Sequence, residues 1–347
     1  MSSLRIAIIG LGRWGPNHVR NFSSIPDCEV VAVVDPDENA RLRIGRLHPT
    51  LALHASLESL LAEDLCDALV VATPTDTHFD IVKAGLNAGK HVLCEKPLTN
   101  QSKTAWELQH LAEENGVMLM VGHVFLFNSG INYLCNAVQE QNVGQIYCLN
   151  ATRTNLGPFR ADVNAAWDLA SHDIYIFNEL LGCRPESVSA VGQSYLRQPV
   201  EDIVYITLLY PNRVMGHIHV SWLDPKKVRQ ITLVGENKMI TWDELANLGP
   251  ITIHDRSVQK EPVYETFGEF QLLTREGDLI MPRIPASEPL GAQARSFVSR
   301  CQARIAGEVS LEPRGSARQG AEVVDVLEAV DRSLAQKGAA VEVQYGG

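Results

Sequence analysis

Leu4-Arg5-Ile6-Ala7-Ile8-Ile9-Gly10-Leu11-Gly12-Arg13-Trp14-Gly15 decides the fold of the first third of the chain. The six residues before Gly10 are short and apolar, as in a strand buried on both faces. The glycines stand at G-x-G-x-x-G spacing. Gly10 permits a tight turn, Gly12 lets backbone approach a pyrophosphate, and Gly15 allows a helix to pack closely on the strand. The N-terminus of that helix then offers N–H groups to phosphate. Alone the motif is weak, but here a strand precedes it, a helix follows, and Asp35 ends a second strand twenty residues beyond Gly15. A dinucleotide site is the expectation. Asp35 would accept hydrogen bonds from the adenosine ribose and repel a 2′-phosphate, which favours NAD over NADP. Arg41 and Arg43 follow closely and work against that preference, and Asp35 also suits a turn before Pro36.

Working outward, apolar runs at 4–9, 30–34, 68–72, 92–93 and 117–121 alternate with helical patterns at 79–88 and 102–115. Asn115-Gly116 stops the second of these helices. Strand, helix, strand in repetition predicts an α/β fold with a parallel sheet and right-handed crossovers. From Gly144 strand signals dominate instead, at 145–152, 187–192, 204–210, 214–220 and 229–234. Val214, Gly216, Ile218 and Val220 alternate with Met215, His217 and His219, the period of a sheet with one face on the core. His217 and His219 read as an exposed or interface row. Residues 287–337 return to helix, and the last ten suit a loose end or an edge strand. The expected domains are 1–122, binding the dinucleotide, and 123–347, binding substrate and mediating self-association, with C-terminal helices packing back on the first domain.

The chain's 347 residues suit two domains. With 45% hydrophobic and 20% charged residues, the composition excludes a disordered chain. A net charge of −11 argues against nucleic acid as a partner. No apolar run reaches membrane-spanning length, so no membrane partner is expected. The N-terminus does not read as a signal peptide. Seven cysteines, odd in number and without a CxxC pair, suggest reduced thiols in a cytoplasmic protein. Eleven histidines form no zinc pattern, so no metal is expected.

Three further stretches carry a resemblance. They are Val70-Val71-Ala72-Thr73-Pro74-Thr75-Asp76-Thr77-His78, Ala88-Gly89-Lys90-His91-Val92-Leu93-Cys94-Glu95-Lys96-Pro97-Leu98, and Trp167-Asp168-Leu169-Ala170-Ser171-His172-Asp173. With the glycine loop they resemble the Gfo/Idh/MocA family of NAD(P)-dependent oxidoreductases. The resemblance implies an N-terminal Rossmann domain with a parallel sheet, then an α/β C-terminal domain with an open, mostly antiparallel sheet. It implies cofactor contacts at Gly10, Gly12, Arg13, Trp14, Gly15, Asp35, Thr73, Pro74, His78, Glu95, Lys96 and Trp167. It makes Lys96 and His172 the catalytic pair, with Asp168 beside them.

The chemistry agrees with that pairing. Oxidising an alcohol needs a proton acceptor while hydride leaves the carbon, and histidine titrates near working pH. On a helix Asp168 and His172 would lie one turn apart. Lys96, beyond the carboxyl end of a parallel strand, would reach the ligand crevice and polarise the oxygen or share the proton. Which of the two takes the proton stays open. His123, just past the last strand, is a further candidate. A solvated loop lysine or a satisfied helical histidine are the bland alternatives.

The stretch from Thr152 to Asn164 resembles the branch that dehydrogenates UDP-N-acetylated hexosamines, UDP-N-acetylglucosamine among them, at the third carbon. Residues 141–161 hold no acid. Arg153 and Arg160 suit phosphate or carboxylate, and Asn155 and Asn164 suit hydroxyls or an acetamido group. Together with Lys96, His123, Asp168 and His172 these are the expected substrate contacts. Related enzymes often carry arginine where this chain has Leu126 and Ser129, which tilts the expectation from a uronate to the neutral sugar. The resemblance also implies a homodimer or homotetramer and a downstream aminotransferase in the same pathway. Rival readings are a UDP-N-acetylglucosaminuronate dehydrogenase, an NADPH-preferring deoxysugar ketoreductase, and a non-catalytic NAD-binding sensor or adaptor.

Overall fold

The computed structural model describes residues 3–160, 163–258, 274–275, 277–308 and 312–346; Ala161 and Asp162, inside the stretch read above for substrate, lie outside them. The chain forms two compact units. One comprises 1–127, 288–325 and 345–347, the other 128–287 and 326–344. The sequence reading set one boundary after residue 122, whereas the first unit runs on to residue 127 and regains 288–325.

The first unit is an alternating α/β layer. Its elements are β1 (Leu4–Ile9), α1 (Gly15–Ser23), β2 (Cys28–Val34), α2 (Glu38–Leu47), β3 (Ala52–His54), α3 (Leu57–Glu63), β4 (Ala68–Val71), α4 (Thr75–Asn87), β5 (His91–Cys94), α5 (Ser102–Glu114) and β6 (Leu119–Val121). The six strands pair in the order β3-β2-β1-β4-β5-β6, all parallel. Such a sheet is covered on both faces, and β4 and β5 are accordingly buried at every position. Ile6, Ile8, Val33, Val70 and Leu93 share a core with Phe22 of α1 and with Ala294, Phe297, Val298 and Cys301 of the helix Pro289–Ile305. Phe22 meets Phe297 edge to face. A carbonyl from the return segment extends the sheet edge, with the Val121 N–H donating to Gly315 O at 2.7 Å.

Strand order reverses between β1 and β4, and every carboxyl-end loop of interest opens on that side. Such a switch point is where doubly wound sheets take dinucleotides. The helix expected at 79–88 begins earlier, at Thr75, because Pro74 is the last extended residue and α4 starts directly after it.

The second unit is built on a nine-stranded sheet. Its elements include α6 (Ser129–Gln139), β7 (Ile146–Leu156), α7 (Ser171–Leu181), β8 (Ser187–Gln193), β9 (Ile203–Leu209), β10 (Met215–Ser221), β11 (Leu223–Gly235), β12 (Met239–Asp243) and β13 (Ile251–His254). Edge strands Leu279–Ile280 and Val341–Glu342 complete the order, which runs Leu279–Ile280, β13, β12, β11, β7, β10, β9, β8, Val341–Glu342. Only β7 with β10 is parallel; the other pairings are antiparallel. One face is packed. A Cβ added at Gly130 of α6 would lie 2.5 Å from the Trp242 ring, and one at Gly216 of β10 would lie 3.0 Å from Phe177 of α7. On β9 the buried Val204, Ile206 and Leu208 alternate with the more open Ile203, Tyr205, Thr207 and Leu209.

Candidate functional site

In the first unit the glycine loop closes as the motif requires. Gly10 takes φ +91°, where only glycine is at ease, and a Cβ there would strike Ala72 O at 2.8 Å. A Cβ at Gly15 would sit 2.1 Å from Gly10 O, so helix and strand meet backbone to backbone. A Cβ at Gly12 would meet nothing within 4 Å, which leaves open space above the loop. The first turn of α1 has no side-chain cap and no acid; Pro16 brings no N–H, and the Asn17 and His18 N–H groups donate to Trp14 O at 2.9 and 3.0 Å. Arg13 and Trp14 are exposed beside it.

Asp35 is held at the end of β2. Its Oδ2 accepts from the Leu11 N–H at 2.6 Å and its Oδ1 from the Asp37 N–H at 2.8 Å. A carboxylate offers about four lone-pair sites, so acceptor capacity is left for a ribose diol. Arg41 does not oppose it, because its Nη1 donates to the carbonyls of Asp35 and Pro36 at 2.6 and 3.1 Å. These residues fit a dinucleotide, with the pyrophosphate on the loop and α1 and the adenosine ribose at Asp35.

Thr73, Pro74, Glu95, Lys96 and His123 follow β4, β5 and β6. Thr73 and Lys96 are half-buried and Pro74 is exposed. Glu95 Oε1 lies 2.8 Å from Nε2 of the buried His18. His123 is buried, and burial, then the nearby Lys96 charge, pushes its imidazole down to about 3. It therefore stays neutral in the ordinary pH range. His78, expected as a cofactor contact, is buried on the first turn of α4. Its Nδ1 lies 2.9 Å from Pro97 O and its Nε2 3.0 Å from Thr73 O, so the ring ties two loops together. Burial lowers its pKa, while the carbonyls favour the charged form.

In the second unit, Trp167 and Asp168 lie on a π-helical stretch, Ala166–Ala170, that runs into α7 at Ser171. The sequence reading placed Asp168 and His172 on one helix face; instead a change of helix type separates them. Such π segments concentrate at functional sites. Asp168 Oδ2 accepts from Trp222 Nε1 at 3.1 Å, and its Oδ1 pairs with Arg160 at 3.5 Å. His172 is half-buried on the first turn of α7.

Four expected ligand contacts are engaged inside this unit. Arg153 forms a two-pronged pair with Asp173, Nε at 2.9 Å and Nη2 at 2.7 Å, with both side chains almost wholly buried. Asn155 donates to Gly157 O at 2.5 Å. Asn164 Nδ2 donates to Glu201 and Asp331, and its Oδ1 accepts from the Trp167 N–H. Trp167 Nε1 donates to Asp331 at 2.7 Å. Burial raises the Asp331 carboxyl above the usual range, and Glu201 and Glu328 add repulsion, against those donated bonds. The reason is common to all four: a polar residue type declares what it can bond, and here the nearest partner is protein. Sequence reasoning missed His18, Asp173 and Asp331. His18 alone left a signal, three residues past Gly15 on the helix that faces the sheet.

Among the described residues no cluster of three histidine, cysteine, aspartate or glutamate side chains could hold a metal ion. None of their helices is long and apolar enough to cross a membrane.

Comparison with known proteins matches residues 4–123 to the NAD-binding Rossmann domain of the GFO/IDH/MocA oxidoreductases and residues 131–241 to the GFO/IDH/MocA C-terminal domain. The chain is 29% identical over 252 residues to UDP-N-acetylglucosamine 3-dehydrogenase of Acidithiobacillus ferrooxidans, covering 71% of this chain and 76% of that one. Two crystal structures share the fold. The WlbA dehydrogenase of Bordetella pertussis, in complex with NADH and UDP-GlcNAcA, has 22% identity and a TM-score of 0.79, covering 99% of both chains. An inositol dehydrogenase homologue of Azotobacter vinelandii with NAD+ has 20% identity and a TM-score of 0.81, covering 98% of this chain and 97% of that one. The cofactor is thus NAD.

Proposed function

The chain belongs to the GFO/IDH/MocA family of oxidoreductases, and on that premise we propose that it oxidises the 3-hydroxyl of UDP-N-acetylglucosamine to the 3-keto sugar. The likeness to the Acidithiobacillus enzyme carries this reading. Arg160 supports it as a cation suited to phosphate, in a stretch, 141–160, with no acid of its own, and with Asp168 3.5 Å away as its partner. The neutral sugar is favoured over the uronate. Leu126 is fully buried, and Ser129 shares a hydrogen bond with Ser287, so neither supplies a cation for a carboxylate.

Bound NAD supplies the hydride acceptor. The chain's own residues have the proton to manage. Lys96 and His172 are the acid–base residues in this reading. His123, held neutral at working pH, adds no second charge beside Lys96 and is too weak a base to collect the proton itself. Trp222 and Arg160 fix Asp168, three residues before the start of α7 and four before His172. A cytoplasmic setting fits cysteines that stand as thiols. A keto product at the third carbon fits consumption by an aminotransferase.

The test is an assay of NADH absorbance with UDP-N-acetylglucosamine, its uronate and myo-inositol in parallel. The neutral nucleotide sugar should turn over fastest, with the keto product trapped by an aminotransferase. His172→Asn should lose about 10²–10⁴-fold in kcat while NAD still binds. No turnover of the nucleotide sugar by folded, NAD-binding protein would sink the proposal.

A further inference from the structure

His18, on the helix that follows the cofactor loop, is almost wholly buried at 1% exposure, and the motif gives it no role. It stands on α1 and packs against Phe22, with ring centroids 6.2 Å apart. Its Nε2 lies 2.8 Å from Glu95 Oε1. Its Nδ1 is buried and has no hydrogen-bond partner among the described residues. A proton on Nδ1 would be an unsatisfied buried donor, so the proton belongs on Nε2, which donates to the carboxylate. The other oxygen faces Gly122, whose missing side chain leaves it room. A Cβ at Gly122 would come within 3.1 Å of Glu95 Oε2 and 3.2 Å of Glu95 Cα. Gly122 is itself anchored through its N–H to Cys94 O at 2.7 Å. The Glu95 carboxylate is therefore held by His18 and given room by Gly122 at the carboxyl end of β5, where a doubly wound sheet meets its dinucleotide.

We propose that His18 is a positioning residue for NAD, fixing the Glu95 carboxylate so that its open edge meets the hydroxyls of the nicotinamide half. This rests on the reading that Glu95 touches the cofactor. Gly122 has the matching role of leaving room for that carboxylate. A bond donated to a charged acceptor is among the stronger kinds, and one already in place spares the ligand the cost of ordering the group.

The experiment is calorimetric titration of His18→Leu, His18→Asn and His18→Gln with NAD and, separately, with ADP, which lacks the nicotinamide half. Leucine and asparagine should raise the Kd for NAD about tenfold, the scale of one charge-assisted bond, and leave the Kd for ADP unchanged. Glutamine, whose amide nitrogen matches the reach of Nε2, should restore NAD binding to within about twofold. Equal weakening of NAD and ADP would reveal a packing effect and overturn the proposal, as would unchanged NAD binding in the leucine and asparagine variants. Glu95→Gln separates the two readings. Unchanged NAD binding there means that Glu95 does not touch the cofactor, and the proposal falls with it. Weakened binding there, with wild-type affinity in the histidine variants, removes the role of His18 alone. In the Glu95→Gln background His18→Leu should add no further loss.

Discussion

His123 carries burial and the Lys96 charge together, and both disfavour its imidazolium, which is why it is pushed down to about 3. Unfolded, the same ring would titrate near 6.5. Between those values the unfolded chain binds a proton that the folded chain refuses, so stability is full above pH 6.5 and falls as pH drops. Burial shifts His78 and His91 the same way. From pH 6.5 to 5 the His123 share of the loss is about 2 kcal/mol. Urea unfolding at pH 7 and pH 5 should show a loss smaller by about that amount in His123→Asn; equal losses in both proteins would contradict it. At this scale the sequence was informative where a motif dictated geometry. Gly10 and Gly15 are forced by contacts of 2.8 and 2.1 Å that any side chain would violate. Residue type did not reveal the partners that Arg153, Asn155 and Asn164 find within their own unit, Asp173, Gly157 and Glu201.

Among the elements, α7 depends on a brace. Arg153 of β7 and Asp173 of α7 are 3% and 1% exposed, and Asp173 adjoins His172. Removing one member of a buried pair strands the other charge and costs about 3–5 kcal/mol. Arg153→Ala should lower the unfolding free energy by that amount in urea titrations; a change under about 1 kcal/mol would mean that the pair is dispensable. The strands of the first unit were legible because burial on both faces leaves unbroken apolar runs. β3 was not, since it has three residues at the sheet edge and only His54 is buried. The π-helical turn was invisible as well. Residues 166–170 have ordinary helical composition, so nothing in it marks the wider turn. β12 and β13 escaped notice because they are short, at five and four residues.

For the molecule as a whole, the open face of the nine-stranded sheet carries Tyr147, Val191, Tyr205, Leu209 and Met215, each more than two-fifths exposed. Tyr205 lies flat on His219, with ring centroids 4.3 Å apart, which stiffens that face. Exposed apolar area in one contiguous sheet invites a partner. We propose that a second copy of the chain covers it in a homodimer or homotetramer. Light scattering at micromolar concentration should give at least twice the mass of 38.2 kDa, and a monomer would contradict it. The two-part division could be read from the change in strand pattern after residue 122. The exact partition could not: residues 288–325 fall in the first unit and 326–344 in the second, and an unbroken apolar stripe along the helix Ala317–Ala335 does not mark that division. The decisive measurement for the molecule follows the hydride itself. Incubated with NAD and UDP-N-acetylglucosamine deuterated at the third carbon, the enzyme should yield NADH carrying the deuterium and an unlabelled keto sugar, read by mass spectrometry. Deuterium that stays on the sugar while NADH forms, or no NADH at all, would contradict oxidation at that carbon.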